Sequence, residues 1–365
     1  MCSDISKPVN RLLTLDDVAR EAGVSKMTVS RALRAASECS EETRIQVRAA
    51  AERIGYKPNP IVTLFHAAVR RRSGGYHATL GWINDFEERG HHTKILHLRR
   101  IWRGAQLEAE RCGFKLEEIW VEGATELSTE RRALRYSQIL QARGAPGAIL
   151  PTLCNGDLAL QPWTDISLVC LGGMVASMDA RPITSAFPER FHHVQADFYS
   201  NVELACIALR ARGYRRIGLF ISDWHNRQNG RQYEASFRIQ MAEWPAADRV
   251  KLLITPELCS VAEQEALLIA WVKKEKPDVV LCALGQTCDW LRKAGYSIPG
   301  DIGVAHIWLS DDTTHWSGID PDLESVGAAL VNLLLAQIQA NARGTPKRVH
   351  RLSFLGNWTD GETTR

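Results

Sequence analysis

The chain has 365 residues, 45% hydrophobic and 24% charged, which excludes a disordered or fibrous polymer and allows two or three domains of roughly 100–200 residues. No apolar run reaches the ~18 residues needed to span a bilayer, and MCSDISKPVNRLL has neither an apolar segment nor a small-residue cleavage site, so a cytoplasmic protein is expected. The net charge of +3 is uneven: residues 1–72 carry 13 Lys and Arg against 8 Asp and Glu, and the remainder sums to −2, the layout of a basic nucleic-acid reader on a near-neutral body.

The first predicted helix opens at Thr14, which with Asp17 makes a variant capping box. Leu15, Val18, Ala19 and Ala22 follow at helical spacing, and Gly23 closes the helix where a left-handed residue costs least. Ser25 caps a second helix that buries Val29, Ala32 and Leu33 and exposes Lys26, Met27, Thr28, Ser30 and Arg31, with Arg34 beyond. Ser40 caps a third, striped by Val47, Ala50, Ala51 and Ile54 and stopped by Gly55. Tyr56 to Pro60 leads out of it; Asn59 can cap a further short helix with Pro60 in its first turn. A short helix-turn-helix of this kind places the start of its second helix in a major groove, but a purely structural bundle has the same pattern.

The run TLDDVAREAGVSKMTVSRAL…SEETRIQVRAAAERIGYKPNP resembles, without gaps over residues 14–60, the DNA-binding head of the lactose-repressor (LacI) family of bacterial transcription regulators. The resemblance implies that Lys26, Met27 and Arg31 read base edges and that Ser25, Thr28 and Ser30 contact phosphate or anchor the helix. It also implies that the Asn59 segment becomes a hinge helix on operator DNA, with an apolar wedge in the central minor-groove step. By position that wedge is Phe65, beside Leu64, where the family has a leucine. Arg31 can pair bidentately with a guanine, and Met27 can pack on a thymine methyl.

Arg70–Arg72 form either a clamp on the DNA backbone or a solvated linker, Ser73–Gly75 mark the boundary, and the connection from Phe65 to Gly81 is longer than the family's usual spacing. From Ala78 strands and helices alternate: ATLGWI, a helix through Arg103 to Cys112, KLEEIWV, a helix from Ser128 to Ala142, GAILP, ISLVCL and an irregular stretch to His193. VQAD, a helix from Tyr199 to Arg212, RRIGLFI, a helix around Gln232–Glu243, KLLIT, a helix from Val261 to Lys274 and DVVLCAL continue the series. Repeated βα units run twice imply two doubly wound parallel sheets, with a ligand site at the strands' carboxyl ends.

VQADFYSNVELACIALRARGYRRIGLFI, KPDVVLCAL and AGYSIPGDIGV…GTPKRV also resemble that family's effector domain, a two-lobed periplasmic-binding-protein-like fold. The fold expected is therefore an all-α helix-turn-helix domain over 12–58, a hinge helix and linker over 59–77, and an α/β body over 78–365. Its first lobe spans about 78–195 and 321–345, its second about 196–320 and 346–365. The polar clamp of the family's sugar-binding members is replaced: Tyr233 stands for an arginine, with Arg231 nearby, Leu284 for an asparagine and Trp308 for an aspartate. Asp85 ends the first strand, a usual pocket position. Tyr233 and Trp308 either stack on a ligand or fill a pocket that binds none.

Nine scattered cysteines without CxxC spacing suit reduced, buried thiols. No hydrolase, P-loop or dinucleotide motif occurs, so no enzyme, catalytic residue, metal or cofactor is expected. His91-His92 and His192-His193 are expected in loops, and Asp311-Asp312 with His315 in a solvated turn. The resemblance thus implies a homodimeric regulator, a repressor by default, that binds a pseudo-palindromic double-stranded operator under the control of a small effector, a sugar among the candidates, with no membrane partner. The alternative is a solute-binding sensor whose helical head contacts protein rather than DNA.

Overall fold

Among the described residues of the head are three helices, α1 (Leu15–Ala22), α2 (Lys26–Ala32) and α3 (Glu41–Ile54). The computed structural model describes residues 14–33, 40–56, 78–151, 158, 161, 163–172 and 190–365. The caps form as their residues dictate: the Thr14 backbone N–H and hydroxyl both donate to Asp17 Oδ2, at 2.9 and 2.8 Å. Ser25 Oγ accepts the Thr28 N–H at 3.1 Å, and Ser40 Oγ that of Thr43 at 3.3 Å. Gly23 and Gly55 end α1 and α3 at φ +65° and +71°.

The head's core is Val18, Ala22, Val29, Ala32, Val47, Ala50 and Ala51, covered by Leu15, Val24, Leu33, Ile54 and Tyr56. Each buried valine contributes roughly 1.5–3 kcal/mol relative to exposure, while the alanines let short helices approach closely. Gln46 Nε2 donates to the Ala22 carbonyl at 2.9 Å and locks α3 to the end of α1.

The body holds two six-stranded sheets. In the first, β1 (Ala78–Asn84), β2 (Phe114–Trp120), β3 (Gly147–Leu150), β4 (Ser167–Leu171), β5 (His192–Ala196) and β11 (Arg351–Phe354) lie in the order β11-β5-β4-β3-β1-β2. In the second, β6 (Ile217–Ser222), β7 (Leu253–Thr255), β8 (Val279–Cys282), β9 (Gly303–His306), β10 (Ser317–Asp320) and β12 (Asn357–Thr359) lie in the order β12-β10-β9-β8-β6-β7. All neighbours are parallel except β10 and β12. Central strands such as β3, β4, β6 and β8 are buried throughout, as parallel strands covered on both faces must be.

Helices α4 (His91–Lys94), α5 (Leu96–Arg111), α6 (Thr129–Ala142) and α12 (Leu323–Gln339) flank the first sheet; α7 (Phe198–Ala211), α8 (Asp223–Gln228), α9 (Gln232–Glu243), α10 (Val261–Glu275) and α11 (Thr287–Lys293) flank the second. Helix α5 starts at Leu96, ahead of the expected Arg103, because Leu98, Ile101, Ala105 and Ala109 supply a buried stripe at three- and four-residue spacing. It meets α12 backbone to backbone: a Cβ on Gly104 would fall 2.0 Å from the Glu324 carbonyl oxygen, and one on Gly327 2.0 Å from that of Ile101.

Two expectations change. The second lobe was expected to begin its last segment at 346, but Arg351–Phe354 extends the first sheet, with Arg351 opposite His193 and Phe354 opposite Ala196. The chain crosses only at Gly356, whose N–H donates to Asn201 Oδ1 at 2.7 Å and whose missing side chain leaves room for the Asp320 carbonyl. His192 and His193, expected in a loop, are buried in β5. The strand's alternation turns them apart: His192 Nδ1 accepts the His350 N–H at 2.9 Å, and His193 Nε2 the Arg351 Nε–H at 3.0 Å. His92 is likewise buried at the start of α4, 3.4 Å from Glu118.

Candidate functional site

The head exposes the start of α2. Met27 is 64% exposed, and Lys26 is exposed with its ammonium 2.7 Å from Asp16. Thr28 is half-buried, its hydroxyl 2.8 Å from Ser25 Oγ, so these two side chains brace the turn. Thr14 sits at the opposite end of α1, and Tyr56 leaves α3 packed on the core, its phenol pushed up by burial. Ser30 and Arg31 fall on α2. Arg34, Asn59, Phe65 and Arg70–Arg72 lie outside the described residues.

The body carries a cleft of about 290 Å³ at the carboxyl ends of the second sheet's strands. Its aromatic wall is Phe198, Trp224, Tyr233 and Trp308. Phe198 stacks behind Trp308 (centroids 5.4 Å apart, 15° between planes) and meets Tyr233 edge-on at 5.7 Å. His225 follows β6, His306 ends β9, and His97 reaches the cleft from α5 of the first lobe. Desolvation holds all three at about 4, far below an ordinary imidazole, so they are neutral at physiological pH.

Most of the remaining polar lining is engaged internally. Asn229 Nδ2 donates to the His225 carbonyl at 2.8 Å while its Oδ1 accepts the Gln232 N–H at 3.1 Å. Thr313 Oγ1 accepts the Ser310 N–H at 2.9 Å, and Ser310 Oγ donates to Asp312 Oδ1 at 2.6 Å. Asp312 lies in an exposed turn, as expected, and that turn borders the cleft. Its neighbour Asp311 pairs with Arg99 of α5 across the lobes. Next to Arg99, Arg100 grips Glu324 with two nitrogens and reaches Asp320, where β10 ends, at 3.1 Å.

Of the five residues expected at this site, Tyr233 and Trp308 line the cleft and three do not. Asp85 is buried in the first lobe, its oxygens taken by Arg132 Nη1 at 2.7 Å and the Tyr136 hydroxyl at 3.2 Å. A carboxylate so partnered is a structural ion pair; burial pushes its pKa up, and Arg132 opposes that. Arg231 is exposed and starts α9 in a left-handed conformation. Leu284 packs on the far core of the second lobe and offers only its carbonyl, to Thr287 at 2.7 Å. Not foreseen in the lining were the three histidines, nor Phe198, Trp224 and Asn229, although His225 follows the expected strand RRIGLFI at the carboxyl end where such folds bind ligands. Among the described residues, no helix is long and apolar enough to cross a membrane and no cluster of metal-ligating side chains occurs.

Residues 14–59 match the model of bacterial regulatory proteins of the lacI family, and residues 207–364 that of the periplasmic binding protein-like domain. Over 47 residues the chain is 53% identical to the HTH-type transcriptional regulator GntR of Pseudomonas aeruginosa, a stretch covering 13% of this chain and 14% of that protein. The solved complex of the transcriptional regulator CelR with cellobiose aligns at TM-score 0.55 and 19% identity, over 96% of this chain and 99% of its own. The lac repressor dimer bound to operator and the anti-inducer ONPF aligns at 0.54 and 18%, over 97% and 99%. At such identities the likeness is one of fold: a helix-turn-helix head followed by a two-sheet periplasmic-binding-like body. The chain thus joins a helix-turn-helix domain of the lacI family of bacterial regulatory proteins to a periplasmic-binding-protein-like domain.

Proposed function

We propose that this protein is a cytoplasmic transcription regulator, a repressor by default, that binds a pseudo-palindromic operator as a homodimer and is gated by a small molecule held in the body's cleft. The observation that carries this is the start of α2: a capped three-helix core that leaves Lys26 and Met27 exposed. Arg31 supplies guanine recognition worth roughly 1–3 kcal/mol, Lys26 a cation for guanine or phosphate, and Met27 an apolar contact. Phe65 is the minor-groove wedge in this reading. Gating follows if a ligand favours one lobe arrangement over another by its differential affinity. His97 from the first lobe and the second lobe's aromatic wall give it surfaces on both lobes.

The test is selection of bound sites from random duplex DNA by the full chain, repeated with Arg31→Ala and Phe65→Ala. Arg31→Ala is expected to relax preference at one base per half-site, and Phe65→Ala to weaken binding while leaving the half-site letters unchanged. Enrichment of no motif would remove the DNA-reading assignment.

A further inference from the structure

We propose that His225 and His306 act as a pair of fixed Nε2–H donors that orient an uncharged, ring-shaped, oxygen-bearing ligand against Trp308. The inference rests on reading the cleft as the effector site and adds which residues choose the effector.

Geometry fixes the tautomers. His306 Nδ1 accepts the Trp308 backbone N–H at 3.1 Å, so it carries no proton. Ser222 Oγ accepts the His225 N–H at 3.2 Å and lies 2.7 Å from His225 Nδ1. The serine hydroxyl proton therefore goes to that nitrogen, its one acceptor among the described residues. Each ring is left with a single proton, on Nε2, and among the described residues neither Nε2 has a protein partner. Depressed basicity keeps both rings neutral.

The ligand class follows from what else lines the cleft. Trp308, backed by Phe198, offers a flat apolar surface suited to a ring face. The two N–H groups need acceptor oxygens. Among the described residues no lysine or arginine lines the cleft, and the Asp312 carboxylate does. A carboxylate or phosphate would lose its water there without a counter-ion, which is costly. An ammonium could meet the Asp312 carboxylate only at the exposed rim, and against the rings it would aim its own protons at two donors that cannot accept them.

Two measurements on the full chain test this. Nitrogen NMR of the imidazoles is expected to show both rings as neutral Nε2–H tautomers at neutral pH; an Nδ1–H tautomer or a protonated ring at either position overturns the proposal. Tryptophan fluorescence, which Trp224 and Trp308 report from the cleft wall, is then followed with D-glucose, D-glucosamine and D-glucuronate, one ring in three charge states. Glucose at up to about 10 mM, a weak-binding regime, is expected to shift the emission more than either charged analogue. His225→Phe and His306→Phe should each weaken that response about tenfold, the cost of one donor, and His306→Gln, which keeps an N–H, should restore most of it. Preference for glucuronate or glucosamine, no response to glucose, or an unchanged response in both Phe variants contradicts the proposal. Circular dichroism confirms that each variant folds, and the NMR result on the unmodified chain stands whether or not they do. Site selection on DNA reads the regulator assignment separately, so either can fail alone.

Discussion

The ammonium of Lys26 rests 2.7 Å from Asp16, with both side chains more than half exposed. Such a surface pair is worth at most about 1 kcal/mol, so it holds the lysine in place without committing it. Asp16→Asn should leave the head's stability within about 1 kcal/mol and tighten binding to duplex DNA several-fold, because Lys26 then meets phosphate or guanine without a competitor. Weaker binding by this variant, measured by fluorescence anisotropy, would place Lys26 outside the interface. The cleft histidines make a second prediction at this scale. His97, His225 and His306 sit at about 4 in the folded chain against an ordinary 6.5. The unfolded chain takes up protons first, so stability is full above about 6.5 and falls as pH drops toward 4. Denaturant midpoints measured across that window should fall, and His225→Phe should flatten the fall. A midpoint independent of pH there would contradict the burial of these rings.

Helices α5 and α12 show what an element-scale contact demands. Gly104 and Gly327 each face a carbonyl where a Cβ would lie at 2.0 Å, so Gly327→Ala must push the helices apart, at a cost of about 1–3 kcal/mol. Thermal melting should fall by several degrees; an unchanged melt would mean the helices do not meet this closely. That pair was invisible in the sequence, since a glycine in a helical pattern reads only as a weak position until its partner is known. Other parts were legible because their signals are local. The boxes and caps at Thr14, Ser25, Ser40 and Ser128, and the βα alternation, follow from neighbouring residues. The edge strand Arg351–Phe354 was not legible: exposed on most of its length, it carries no buried pattern to assign it to a sheet. Asp85 was misleading for a related reason. Its strand-end position suggests a ligand site, while its partners Arg132 and Tyr136 lie more than forty residues away in sequence. The histidines stayed hidden because their donor role depends on Ser222 and on the Trp308 backbone.

Across the whole molecule, ion pairs join the two lobes of the body. Arg99 ties the first lobe to Asp311, beside the cleft-lining Asp312, and Arg100 joins α5 to the end of β10 and to α12. A ligand touching His97 and the loop around Asp312 would act on the two elements that the Arg99–Asp311 pair connects. Reading of duplex DNA by the head has a direct electrostatic signature. Binding that neutralises phosphates releases counter-ions, so log affinity falls linearly with log salt, by about 0.9 per phosphate contact. The decisive measurement is the affinity of the full chain for its selected duplex across a salt series. A steep negative slope is expected, made shallower by about one contact per head in Lys26→Ala if that lysine meets phosphate. A slope near zero would contradict DNA reading and leave the head as a protein-binding module.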